Sequence, residues 1–153
     1  MSFSVDETDR YGRQALLAEW GAAGQERVRA SHVGVLGHGI AAEAAVRYLA
    51  GAGVGGLAVE EERFVAIARA QNPHVRVDEP LPPLVAAHFN HRGAAPVVLL
   101  LPPPGVMIAT LPRIEGAADR AAIGAACAVE ALKALLVLPH QTRVTLDDEK
   151  GGP

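Results

Sequence analysis

The chain has 153 residues, 50% of them hydrophobic and 20% charged, and a formal net charge of −3 at pH 7; that fits a single globular domain, 1–153, with a core of its own. Aromatic residues at 4% and a net negative charge leave neither stacking platforms nor a basic footprint, which argues against a nucleic-acid partner. One cysteine, Cys127, excludes an internal disulfide and a cysteine-rich zinc site.

Residues 1–9 are polar and are expected to be flexible. Tyr11, Ala15, Leu16, Trp20 and Val28 predict helical pieces between Arg10 and Arg29, with a break at Gly21 and Gly24. His32 to Leu36 reads as a strand and Ala41 to Ala50 as a small-residue helix, ended by Gly51-Ala52-Gly53. A short strand from Leu57 to Val59 precedes a helix over Glu60 to Ala70, which Asn72-Pro73 stops; Val75 to Val77 is extended. Leu84 to Asn90 is predicted helical. Pro96 to Leu101 is an unbroken apolar run, as in a strand covered on both faces. An extended piece over Val106 to Leu111, a long helix over Ala117 to Leu138, a strand within Gln141 to Leu146 and a flexible tail, 147–153, complete the chain. The start shows no secretory pattern, and the apolar stretch from Ala125 to Leu138 is interrupted by Glu130 and Lys133. A membrane span is therefore not expected, and a cytoplasmic protein is the default reading.

Strands alternating with helices predict an α/β fold: a Rossmann-like open, mainly parallel sheet with helices on both faces. The chemistry-bearing feature is Gly37-His38-Gly39-Ile40-Ala41-Ala42, a Gly-x-Gly-x-x-Ala turn between the first strand and its helix. Gly37 permits a tight turn, Gly39 a close approach of a phosphate to the backbone, and Ala42 close packing of helix on strand. The helix start would offer N–H groups to an anion. Gly37, Gly39 and Ala42 are therefore candidate nucleotide contacts.

Several motifs together resemble the ThiF/MoeB/HesA family. Arg10-Tyr11-Gly12-Arg13-Gln14-Ala15-Leu16-Leu17 is similar to its opening Arg-Tyr-x-Arg-Gln-x-x-Leu, and Gly24-Gln25-Glu26-Arg27-Val28 to its Gly-Gln-Glu-Lys-Leu. Tyr48-Leu49-Ala50-Gly51-Ala52-Gly53-Val54-Gly55 resembles Tyr-Leu-Ala-x-Ala-Gly-Val-Gly, Asn72-Pro73-His74-Val75 resembles Asn-Pro-x-Val, and the stretch from Ala128 to Leu136 resembles the last core helix. The resemblance implies an ATP-dependent adenylyltransferase fold acting on ubiquitin-like or sulfur-carrier proteins, and dimerisation. In the family the arginine matching Arg13 reaches into the partner subunit's ATP site, and an aspartate after the second strand holds ribose or magnesium. Of Glu60, Glu61 and Glu62, Glu61 fits that position best, the other reading of the run being a solvated helix start.

The departures are as informative. Ile40, Ala41, Ala42 and Glu43 replace the Gly-Leu-Gly-Ser that closes the family's glycine loop, and Glu43 would set a carboxylate where phosphates bind. The Ser-Asn-Leu-x-Arg-Gln segment is skipped after Glu62, and Leu101-Pro102-Pro103-Pro104-Gly105 replaces the Asp-Cys-x-Asp-Asn that follows the buried strand. No Cys-x-x-Cys is present for a structural zinc. Adenylyl transfer needs cations and a metal to offset charge on the departing pyrophosphate.

The leading expectation is a shortened, degenerate member: a pseudoenzyme that keeps the nucleotide-binding fold and works as a homodimer or paired with a full-length homologue, to which Arg13 could be donated. A weakly active adenylyltransferase binding ATP is the alternative, and an NAD-binding sensor the next. No metal site is expected: His88 and His91 have ligand spacing but no third partner nearby, and His38 reads as a neutral loop residue. Cys127 reads as a core hydrophobe, and Glu130 and Lys133 as the polar side of the last helix.

Overall fold

The computed structural model describes residues 4–78, 97–101, 107–110, 117–139 and 143–144. The elements run α1 (Val5–Ala15), α2 (Gly21–Ala30), β1 (His32–Leu36), α3 (Gly39–Ala52), β2 (Gly56–Val59), α4 (Arg63–Gln71), β3 (Arg76–Asp78), β4 (Val97–Leu101), β5 (Met107–Thr110), α5 (Ala117–Leu135) and β6 (Arg143–Val144). The helix expected over Leu84 to Asn90, residues His88 and His91, and the tail 147–153 lie outside the described residues.

The six strands form one sheet in the order β3-β2-β1-β4-β5-β6. β1, β2 and β3 are parallel neighbours, as are β5 and β6, whereas β4 runs antiparallel to both β1 and β5. The sheet is thus mainly parallel, with one reversed strand. The apolar run Val97–Leu101 does form a central strand, but such a run reports burial and carries no information on direction.

Small residues set the central packing. Ala42, Ala45, Leu49 and Ala50 of α3 are fully buried, together with Val33 and Val35 of β1 and Leu57 and Val59 of β2. On α5, Ile123, Cys127, Ala128, Ala131 and Leu132 form a helical stripe that joins this cluster. The two helices approach until backbone meets backbone: a Cβ on Gly124 would stand 2.0 Å from the Ala41 carbonyl oxygen. Gly53 then ends α3 in the left-handed conformation at φ 95°, its N–H donating back to Ala50.

Helix α1 is almost wholly polar and docks through polar contacts. It begins at Val5, inside the segment 1–9 expected to be flexible, because Ser4 and Glu7 form a reciprocal capping box. Its one buried side chain, Tyr11, lies against Gly53, and its hydroxyl accepts from Asn72 Nδ2 at 3.0 Å. Arg10 donates to the Gln71 carbonyl at 3.0 Å, and Asp6 pairs with His74 at 3.0 Å. His74 and then Arg10 hold the Asp6 carboxyl below its ordinary range. The chain breaks between α1 and α2 before Gly21; Gly24 falls inside α2, buried where Leu136 and Trp20 leave no room for a side chain. Gln25, next to it, accepts from Trp20 Nε1 at 2.8 Å and donates to the Ala52 carbonyl at 3.0 Å, which ties α2 to the end of α3.

Two glycine substitutions test this packing. Gly124→Ala must push α5 off α3 and should cost about 1–3 kcal/mol, as overpacked sites do. Gly51→Ala, where a Cβ meets nothing within 4 Å on α3, should instead stabilise by about 0.4–1 kcal/mol. Urea unfolding of both variants reads the opposite signs; equal effects would mean the α3–α5 approach does not limit stability.

Candidate functional site

Strand β1 delivers Gly37 and Gly39 at its carboxyl end, both with positive φ, 123° and 78°. His38 between them is the extended N-cap of α3 and gives that helix no side-chain cap. This is the strand–turn–helix that the Gly-x-Gly pattern predicts, and the space above Gly39 is open. Ala42 is fully buried in the first turns of α3.

The turn is already occupied by the protein's own carboxylates. The Gly37 N–H donates to Glu60 Oε2 at 2.7 Å, and the Gly39 N–H to Glu61 Oε1 at 3.2 Å. His38 Nδ1 lies 2.9 Å from the same Glu61 oxygen. Arg63 Nε bonds the other Glu61 oxygen while its Nη1 reaches Glu43 Oε2 at 2.9 Å, and Arg47 holds Glu43 from one helical turn away at 2.8 Å. Arg63 also stacks over Phe64, 4.5 Å from the ring centre. Arg63 first, then the Gly39 amide and His38, lower the Glu61 carboxyl from its ordinary value. Arg47 and Arg63 do the same for Glu43. The two carboxylates in turn raise Arg63 further.

Three carboxylates thus stand against two arginines that are both ion-paired to them, and the Gly37 and Gly39 N–H groups are taken by Glu60 and Glu61. In this arrangement the described residues offer a triphosphate neither of those two N–H groups and no nearby arginine free of a carboxylate. A bound nucleotide would first have to displace Glu60 and Glu61.

Of the candidate residues, the structure brings Gly37, Gly39 and Glu61 together and sets Ala42 beneath them. Arg13 is exposed on α1, which docks against Gly53 and Asn72 at the other end of the strands, and it has no ion-pair or hydrogen-bond partner among the described residues. Glu60 and Arg63 are the participants that motif reading passes over. Their signal is positional: an acid directly after β2 emerges beside the end of β1, since Val35 pairs with Val59. The helix expected from Glu60 begins three residues later, at Arg63, with Glu62 as its N-cap, so Glu60 and Glu61 stand ahead of it. Leu101, the residue before the prolines, pairs with His32 at the end of β1 away from the turn, and residues 102–105 lie outside the described residues. Cys127 is fully buried, and burial pushes its thiol up to about 12, far from a reactive thiolate. Lys133 is paired with Glu130 at 2.8 Å on α5. Among the described residues no group of acids, histidines and cysteine could hold a metal ion, and no helix is long and apolar enough to cross a membrane.

No protein-family model matches the chain. Among curated proteins it is similar to the SAMP-activating enzyme E1 of Haloferax volcanii, 36% identical over 106 residues that make up 67% of this chain and 39% of that protein. It is 41% identical over 59 residues to the adenylyltransferase and sulfurtransferase UBA4 of Yarrowia lipolytica, covering 39% of this chain and 15% of that one. It is likewise 41% identical over 68 residues to the sulfur carrier protein adenylyltransferase of Thermus thermophilus, covering 44% and 25%. The chain therefore spans well under half the length of each of these relatives. With an open α/β sheet, a glycine turn at the end of its first strand and these relatives in common, the chain belongs to the ThiF/MoeB family.

Proposed function

We propose that this chain is a non-catalytic member of the family that works by association, as a homodimer or with a full-length, active homologue. The observation that carries this reading is the closure of the glycine turn by Glu60 and Glu61. Activating a carboxyl group with ATP requires phosphate donors at that turn and cations to stabilise the leaving pyrophosphate. Here the donors face carboxylates, and both nearby arginines are neutralised. The relatives support the partner class: one is named for activating SAMP and another for adenylylating a sulfur carrier protein.

Arg13 gives the association a chemical purpose. It is an exposed cation on a helix whose docking is otherwise complete, suited to reaching a second subunit. The same likeness supports a second reading, a weak ATP-dependent adenylyltransferase whose turn opens when nucleotide displaces the two glutamates. The NAD-sensor alternative gains no separate support.

Calorimetric titration with magnesium–ATP and a pyrophosphate-exchange assay separate the two readings. The non-catalytic reading expects no exchange and no saturable ATP binding at millimolar concentration. Glu60→Gln combined with Glu61→Gln removes two charges and should raise ATP affinity at least about tenfold, still without exchange. Exchange by the unmodified chain would overturn the proposal in favour of the second reading. In a reconstituted pair with an active homologue, Arg13→Ala should lower the homologue's adenylation rate about tenfold or more while the complex persists. Unchanged activity would remove Arg13 from any donated role.

The charged cluster also fixes a pH response. The Glu43 and Glu61 carboxyls titrate below their ordinary 4.5, so their contribution is complete above pH 4.5 and is lost as pH falls through the lower folded values. The melting temperature of the unmodified chain should therefore fall more steeply below pH 4.5 than that of Glu61→Gln, and parallel curves would contradict the assignment.

A further inference from the structure

A cleft of about 410 Å³ lies between α1, the Gly53–Gly55 bend and the approach to β3. It is not the glycine turn. Gly55 precedes β2, whose Gly56 pairs with His32 and with Arg76, so the cleft sits at the amino end of the parallel strands. Gly37 follows the carboxyl end of β1.

The lining is chemically specific. Asn72 is buried and fully used: its Nδ2 donates to the Tyr11 hydroxyl and to the Ala50 carbonyl, and its Oδ1 accepts from the His74 N–H. That fixes the Tyr11 oxygen as an acceptor, and no acceptor among the described residues takes its proton. Burial raises the Tyr11 hydroxyl above its ordinary value, so the proton stays on it. Arg29 is ion-paired through the same Nη1 with Glu7 at 3.2 Å and with Glu26 at 3.9 Å, which leaves its Nε and Nη2 donors to offer. Arg76 is exposed at the start of the edge strand; its backbone N–H donates to the Gly55 carbonyl, and its guanidinium has no partner among the described residues. Of the residues that line it, Arg29 and Arg76 are cations and Glu7 is the one carboxylate, with His74 bonded to Asp6 and Glu26 beside Arg29 at its margin. Its volume falls in the range of small-molecule sites, about 300–1,000 Å³.

We propose that this cleft binds a small oxyanion-bearing molecule, a carboxylate or a phosphate monoester, held by the Tyr11 hydroxyl and the Arg29 and Arg76 guanidiniums. The site would clamp α1 to the Asn72–Arg76 segment, because its donors come from both. It does not depend on the non-catalytic reading, and pyrophosphate exchange by the chain would leave it standing.

The test is amide NMR of the full chain titrated separately with inorganic phosphate and with acetate. Saturable shifts centred on Gly53, Val54, Gly55 and Arg76 support the site, and the tighter of the two probes names the group it prefers. Arg76→Ala should weaken that binding about tenfold or more, and Tyr11→Phe severalfold, whereas Arg69→Ala on exposed α4 surface should leave it unchanged. Shifts that rise without saturation, that centre on Gly37 to Gly39, or that persist equally in Arg76→Ala would overturn the proposal. Each variant's melting temperature is measured alongside, and should Arg76→Ala unfold, Arg76→Gln carries the same expectation.

Discussion

Everything in this molecule is arranged around how closely α3 can approach its neighbours. Alanines at 41, 42, 44, 45, 50 and 52 are buried, and Gly124 of α5 presents bare backbone to the Ala41 carbonyl. A helix clad in larger residues would stand farther off and carry its first turn away from the end of β1. Instead the glycine turn, the start of α3 and the acids after β2 are drawn within hydrogen-bond distance of one another. The other end of α3 works in the same way. Gly53 turns the chain beneath Tyr11, and the Ala50 and Ala52 carbonyls become anchors for Asn72 and Gln25.

The two ends of the parallel strands have opposite electrostatic characters. At the carboxyl end, backbone donors that could hold an anion are satisfied by Glu60 and Glu61, and arginines balance the remaining carboxylates. At the amino end, tyrosine, arginine and histidine face an open cleft. Charge-assisted bonds to backbone N–H groups are among the stronger hydrogen bonds in proteins, so the first arrangement is a closed, self-sufficient one. Ligand recognition in a fold of this kind ordinarily sits at the carboxyl ends of the strands. In this chain the Arg76 guanidinium, which has no partner among the described residues, stands at the opposite ends.

Much of this was legible in the residues because the signals are local. The apolar β1, the glycines after it, the alanine-rich α3 and the stripe of α5 each carry their own periodicity, and the motifs of the ThiF/MoeB resemblance fall on them. Tyr11, Gln25 and Asn72, read as motif members, turn out to be the polar pins of α1 and α2. Signals that depend on distant partners were not legible. The run from Val97 to Leu101 says that a strand is buried, yet its reversal depends on the route taken by the whole chain. The capping box at Ser4 and Glu7 was hidden in a stretch that composition alone marks as loose. The role of Glu60 required knowing that β1 and β2 end side by side. Nothing local separates Gly24, which is needed for contact with Leu136 and Trp20, from a glycine that breaks a helix.

The buried thiol of Cys127 has a consequence of its own. It stands in the stripe by which α5 joins the core, and the sequence contains no other cysteine. Thiolate chemistry is suppressed while the helix stays in place. The chain therefore contains a single-site reporter of its own opening: a thiol-directed reagent reads the open population of α5 when reclosing is fast, and the opening rate itself when the reagent outpaces reclosing.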